Sequence, residues 1–246
     1  DLTFDGAGYK VAEAIRFQGQ GSVDNVAFKN IRYSQYIGLG IRAMGDGAVD
    51  VSNSTFENIE RIGTFYASAG ASGSTFSDNV FTGKGGVDPW INYGVEVGRG
   101  AGDIQILRNV ITGNVGVATD GSTSAGVLVS TYYGAGSSAY LENNVFTDHT
   151  SAVAVGYDGA DTSVVVARNN DFSGNENGVA FVGMGTADFS GNYWGYTVEA
   201  DVADYMAGVN AEDVDFTPYL VSGVDTDGST NGFQGDFSNL YATTLG

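Results

Sequence analysis

Apolar residues along this chain fall in short alternating runs, separated by clusters of Gly, Asn and Asp. Alternation with a period of two marks strands rather than helices. One segment type recurs. Asp24-Asn25-Val26-Ala27-Phe28-Lys29-Asn30 reads like Ser52-Asn53-Ser54-Thr55-Phe56-Glu57-Asn58 and like Glu142-Asn143-Asn144-Val145-Phe146-Thr147-Asp148. Its large apolar slot falls at Phe28, Phe56, Phe81, Ile111, Phe146, Phe172 and Trp194, in steps of 22 to 35 residues. A second run of the form small-apolar-x-apolar follows most slots, as in Gly40-Ile41-Arg42-Ala43, Gly94-Val95-Glu96-Val97, Gly126-Val127-Leu128-Val129, Ala152-Val153-Ala154-Val155 and Gly178-Val179-Ala180-Phe181. A third run is expected before each slot, as in Val49-Asp50-Val51, Ile104-Gln105-Ile106 and Val164-Val165-Val166. Only Val198 to Met206 departs from this pattern toward a short helix.

Three short strands per repeat unit predict one winding of a solenoid. A single winding cannot bury its inner face, so stacking must build the core. About seven coils are expected, with successive strands ~4.8 Å apart along the axis. The slot residues then form one buried column. Two residues before each slot stand Val26, Ser54, Asn79, Asn109, Asn144, Asn170 and Asn192. Asn tolerates a left-handed bend, and its amide both donates and accepts. Asn79, Asn109, Asn144, Asn170 and Asn192 are therefore expected to form a ladder along the axis, which Asp could not do without like-charge repulsion.

These segments resemble the right-handed parallel β-helix repeat of the pectate-lyase-like superfamily, from about Asp24 to Leu220. Asn192-Tyr193-Trp194-Gly195 followed by Val214-Asp215-Phe216-Thr217-Pro218-Tyr219-Leu220 is similar to a closing element of bacterial surface β-helix proteins. Tyr193 and Thr217 depart from that element's Trp and Ser. The resemblance implies an all-β right-handed parallel β-helix over residues 1–220, with a short helix capping its C-terminal end. Residues 221–246 are expected to be a linker or docking tail; Gly232 to Leu240 resembles segments that join modules in long secreted proteins. The opening Asp1 to Asp5 is no signal peptide, so a leader was removed or the chain is a piece of a longer protein.

Charge narrows the partners. The chain carries 29 Asp plus Glu against 10 Lys plus Arg, a net charge of −19. Such a surface repels phosphate backbones, so nucleic acid is excluded as a partner. No apolar run approaches the roughly 20 residues that span a bilayer, so membrane insertion is not expected. With no Cys, disulfides are not the staple. Thirty-eight Gly against two Pro suits many tight turns between strands.

Candidate chemistry is sparse. The resemblance implies catalytic patterns for polygalacturonases, lyases and alginate epimerases, and none is complete here. Asp88-Pro89-Trp90 only grazes the epimerase motif. The remaining constellation is Lys84, Asp88, Glu96, Arg99 and Asp103, with Asp88, Glu96 and Arg99 the candidate catalytic set. Tyr66, Trp90, Tyr93, Tyr132 and Tyr133 are candidates for a sugar-stacking face. Asp225, Asp227, Ser229 and Asn231 place oxygens at alternating positions and are candidate calcium ligands, although the EF-hand spacing is broken. His149 is expected in an exposed turn. The expected function is an extracellular structural or adhesive module, at the cell surface or in a self-assembling layer, sheath or filament. Its expected partners are other copies, adjoining modules or surface glycans. A carbohydrate-active enzyme on acidic glycans and a passive glycan-binding module are the alternatives.

Overall fold

The computed structural model describes residues 2–86 and 90–241. It is a parallel β-solenoid of about 8 turns. One face stacks Leu2–Asp5, Val26–Lys29, Thr55–Glu57, Val80–Thr82, Val110–Thr112 and Val145–Thr147 in that order, all parallel. A second face runs Leu39–Ser52, Ile62–Tyr66, Tyr93–Val97, Ala125–Val129, Ser151–Val155, Asn177–Phe181 and Met206–Ala207. The third stacks Thr75–Ser77, Ile104–Leu107, Ser138–Glu142, Val164–Arg168 and Thr186–Asp188. The long strands Glu13–Asp24 and Leu39–Ser52 turn the corner between the second and third faces and join them into one sheet.

The slot residues stack inside. Phe28 and Phe56 rings lie 4.8 Å apart, Phe146 and Phe172 5.2 Å, and Phe172 and Trp194 4.9 Å. Ile111 fills the same column between Phe81 and Phe146 in register. Phe4 adds a turn before the first repeat read from the sequence, pairing with Phe28 at 5.5 Å. Beside the column, Ile41, Val95, Val127, Val153 and Val179 point inward from the second face. The small residue heading each of these runs has a steric cause. A Cβ on Gly126 would sit 2.6 Å from the Phe146 ring, and one on Gly178 2.8 Å from Trp194.

The five asparagines are fully buried. From Asn109 to Asn192, each Oδ1 accepts both the backbone N–H and the side-chain Nδ2–H of the asparagine one turn earlier, at 2.8–3.1 Å. Ser54 and Val26 continue the chain of contacts with their backbone N–H groups. The left-handed bend, however, falls one residue before the ladder position, at Asn25, Asn53, Asp78, Arg108, Asn143 and Asn169. The ladder asparagine is thus selected for its amide, and its predecessor for the turn.

A short helix, Glu199–Ala203, lies near the C-terminal end and buries Val202. The segment after Leu220 does not float free. Leu240–Tyr241 pairs antiparallel with Tyr219–Leu220. Phe233 is buried and exchanges hydrogen bonds with Asn143, while Asn231 Nδ2 donates to Arg108 O and Gly235 N donates to Asn169 Oδ1. The tail lies along the bends of three successive turns. Among the described residues no helix is long and apolar enough to cross a membrane.

Candidate functional site

The outward positions of the second face build a groove. In register they read Arg42, Phe65, Glu96, Leu128, Ala154, Ala180 and Ala207. Side chains shrink along that column, so the floor steps down from Phe65 to the three alanines. A neighbouring outward column runs Leu39, Ile62, Tyr93, Ala125, Ser151 and Asn177. Loops fold over this face and bury a second apolar cluster that includes Phe65, Ile91, Tyr93, Leu128 and Ala154, with Trp90 packed against it.

Two compartments result. The smaller, about 200 Å³, is lined by Arg61, Trp90, Tyr93, Glu96, Arg99, Asp120, Tyr132, Tyr133 and Tyr157 among others. The larger, about 620 Å³, lies over Ala154, Ala180 and Ala207 and is walled by Val117, the 120–123 loop, Tyr157 and Val209. They share Tyr93, Asp120, Ser122, Leu128 and Tyr157.

Cations and rings are interleaved in the smaller compartment. The Arg61 guanidinium lies 4.7 Å over the Tyr93 ring, and Arg99 lies 4.8 Å over Tyr133. One terminal nitrogen of Arg61 is buried without a hydrogen-bond partner. Tyr132 packs against Tyr133 at 4.7 Å and against Tyr157 at 4.4 Å. Half-buried Glu96 is held above the ordinary carboxylate range by burial, against the pull of Arg61, Arg99 and Arg42. Asp120 is held below that range, chiefly by the backbone and side-chain hydrogen bonds of Ser122.

Asp161 fixes the tyrosine wall. Its buried carboxylate accepts from Ser130 Oγ, Thr131 N, Tyr157 N and Ser163 N at 2.8–3.0 Å, and from Ser163 Oγ. Burial would raise its pKa, but these hydrogen bonds outweigh it and the carboxyl is lowered. His149 fixes the opposite wall. Expected in an exposed turn, it is instead buried, packed against the Phe146 ring with the Asn114 backbone on its edge. Its Nδ1 accepts the Asn114 N–H at 3.0 Å and its Nε2 lies 2.9 Å from Ile111 O, which selects the tautomer protonated at Nε2. Burial lowers its pKa to about 4.

The other sequence candidates disperse. Lys84 pairs with buried Glu60 at 2.9 Å, away from Glu96. Asp103 lies in a left-handed bend leading into the third face, in the same connection as Arg99, but does not line either compartment. Asp88 lies outside the described residues. Tyr66 points into the core, with its hydroxyl on Thr75 O at 3.2 Å, and is not part of an outer face. In the tail, Asp225 Oδ1 accepts from Asp227 N and Gln234 N, and Asp227 accepts from Ser229 and Thr230. Asn231 Nδ2 donates to Arg108 O, on the bend of an earlier winding. Among the described residues no group of three or more His, Cys, Asp or Glu is placed to hold a metal ion.

Arg61, Asp120, Tyr157 and Asp161 were missed from the sequence. All four lie at coil corners or in loops, where no period marks them. The molecule is thus a parallel β-solenoid with an aromatic, charge-lined groove on one outer face. No protein-family model matches the chain, and no curated protein or solved structure matches it.

Proposed function

We propose that this chain is an extracellular adhesive module that holds a glycan chain in the outer groove. The observation that carries the reading is the gathering of Trp90, Tyr132, Tyr133 and Tyr157 round Arg61, Glu96 and Arg99. A sugar ring offers apolar C–H faces and a rim of hydroxyls. Aromatic faces meet the first, and fixed carboxylates and guanidiniums meet the second. The unpartnered Arg61 nitrogen is a donor awaiting an acceptor. The floor alanines leave room without weakening the core, which lies on the other side of the sheet.

The test is affinity electrophoresis against a panel of soluble polysaccharides, including alginate, pectate, xylan and mannan. At least one should retard the protein, and Ala207→Trp, at a half-buried floor position of the larger compartment, should abolish the shift while leaving the melting temperature within a few degrees. Retardation that survives Ala207→Trp, or none with any polysaccharide, would sink the reading.

One observation favours a second reading, a carbohydrate-active enzyme. Glu96 and Asp120 line one cleft with their pKa values displaced in opposite directions. A general acid and its charged partner need such a split. New reducing ends or unsaturated uronates, formed by the wild type and not by Glu96→Gln, would establish catalysis; an unchanged polymer leaves binding alone.

A further inference from the structure

Asparagine followed by glycine is the dipeptide most prone to lose ammonia, because glycine has no side chain to shield its nitrogen from the neighbouring amide carbon. The chain holds two such pairs, Asn177-Gly178 and Asn231-Gly232. The fold treats them differently. Asn177-Gly178 begins the strand Asn177–Phe181, where Gly178 N donates to Tyr205 O at 2.9 Å and Asn177 Nδ2 to Thr150 O at 2.8 Å. Nitrogen and amide are both held in the sheet.

Asn231-Gly232 lies in the tail, in a hairpin closed by Thr226 N on Gln234 O at 2.7 Å and by the bridge between Asp225 and Gly235. Gly232 takes a left-handed φ of +84°, and its N–H donates to no group among the described residues. Asn231 is half-buried, and its side chain is held by Nδ2 donating to Arg108 O at 2.7 Å. That is a single side-chain bond on a turn-rich limb, the kind of segment that opens locally. Gln234 Nε2 donates to Asn231 O at 3.1 Å, and this pull on the peptide carbonyl eases loss of the Gly232 proton.

We propose that Asn231-Gly232 is a site of spontaneous deamidation that unpicks the tail from the solenoid. Gly232 N gives its proton to solvent and attacks Asn231 Cγ. The Cγ–Nδ2 bond breaks, Nδ2 takes up a proton and leaves as ammonia, and a succinimide remains. Water then opens the ring: attack at Cγ yields aspartate, and attack at the main-chain carbonyl yields isoaspartate. Water is the only co-reactant, and nothing is oxidised or reduced. Either product sets a carboxylate where an N–H donor faced Arg108 O, so an attraction becomes a repulsion. Isoaspartate also lengthens the main chain where there is no slack: a Cβ on Gly232 would stand 1.9 Å from Asn143 O and 2.8 Å from Arg108 Cα. The stitches that follow, Phe233 N on Asn143 O and Gly235 N on Asn169 Oδ1, loosen in consequence. Beyond them Leu240–Tyr241 stays paired with Tyr219–Leu220, so the hairpin lifts as a loop and the chain end remains docked.

The experiment holds wild-type protein in warm, mildly alkaline buffer made with heavy-oxygen water and maps its peptides by mass spectrometry. Asn231 should convert about tenfold faster than Asn177, or more, because Asn177 reacts only from a locally opened sheet. Asn231→Gln, whose longer side chain closes a ring far more slowly, should leave that peptide unchanged. Asn231→Asp makes one product directly. It should speed amide exchange at Phe233 and Gly235 about tenfold and leave residues 125–129, inside the solenoid, as they were. Equal conversion at the two asparagines, or none at Asn231 while the denatured chain converts there, overturns the site. Exchange at Phe233 and Gly235 unchanged in Asn231→Asp, or raised equally in 125–129, overturns the unpicking.

Discussion

The inner and outer sides of the second face share the same strands but obey different rules. Inward, Val95, Val127, Val153 and Val179 repeat with little change. Outward, the residues one step further along each strand are Glu96, Leu128, Ala154 and Ala180. Each inward position meets the same surroundings in every turn, so packing imposes one answer. Each outward position meets a different loop, so nothing forces repetition. Regularity in this protein marks what holds it together, and departure from regularity marks where the outer groove takes its shape.

That contrast is broken or sharpened by mutation. The largest effect should come from the slot column. Phe146→Ala leaves a cavity between Ile111 and Phe172 and should cost about 3–5 kcal/mol in denaturant unfolding; a loss under about 1 kcal/mol would mean that the column is not the core. Acid comes next. His149 has a folded pKa near 4 against 6.5 unfolded. The unfolded chain binds the extra proton, so stability is whole above about pH 6.5 and falls as pH drops toward 4. At ~1.4 kcal/mol per unit the loss approaches about 3 kcal/mol. The slope between pH 4 and 6.5 should flatten in His149→Asn; an unchanged slope would assign it to carboxylates instead. Protonation also removes the acceptor for Asn114 N–H, so the 113–124 wall should lose amide protection in the same range.

The ladder should rank third. Asn144→Ala strips donors from buried Ile106 O and half-buried Glu142 O and an acceptor from buried Asn109 N. A cost of about 2–3 kcal/mol is expected from groups left unpaired, and a double-mutant cycle with Asn170 should show coupling. The smallest effect belongs to the groove rim. Tyr133→Ala, at an exposed position, should change stability by less than about 0.5 kcal/mol yet weaken glycan binding at least tenfold. If its stability cost matched that of Asn144→Ala, the inner and outer sides would not be separable.

The same contrast explains what the sequence made legible. The slots at Phe28, Phe56, Phe81, Ile111, Phe146, Phe172 and Trp194 stand out because one steric environment recurs once per turn. The ladder asparagines stand out for the same reason, although the residue taking the left-handed bend is its neighbour. The turn through Ile62–Tyr66 escaped notice because its polarity is inverted: Thr64 points in and Phe65 points out beneath the second apolar cluster. The groove was half visible. Glu96, Arg99, Trp90, Tyr93, Tyr132 and Tyr133 were named from strand alternation and aromatic content, and all line the small compartment. Asp120, Tyr157 and Asp161 come from loops of unequal length, and only the folded chain brings Asp120 within reach of Tyr157. The outward run Leu128, Ala154, Ala180 was a readable signal, since shrinking side chains on one face of successive strands leave a trough.

The tail along the bends carries a mechanical consequence. Asn231, Phe233 and Gly235 are stitched to Arg108, Asn143 and Asn169, the corners of three consecutive windings. A pull on the C-terminal side is therefore shared among those windings at once, and the last coil is not unzipped alone. Under a pull along the solenoid axis, that seam converts a peeling load into a shearing one, which a row of hydrogen bonds resists far better.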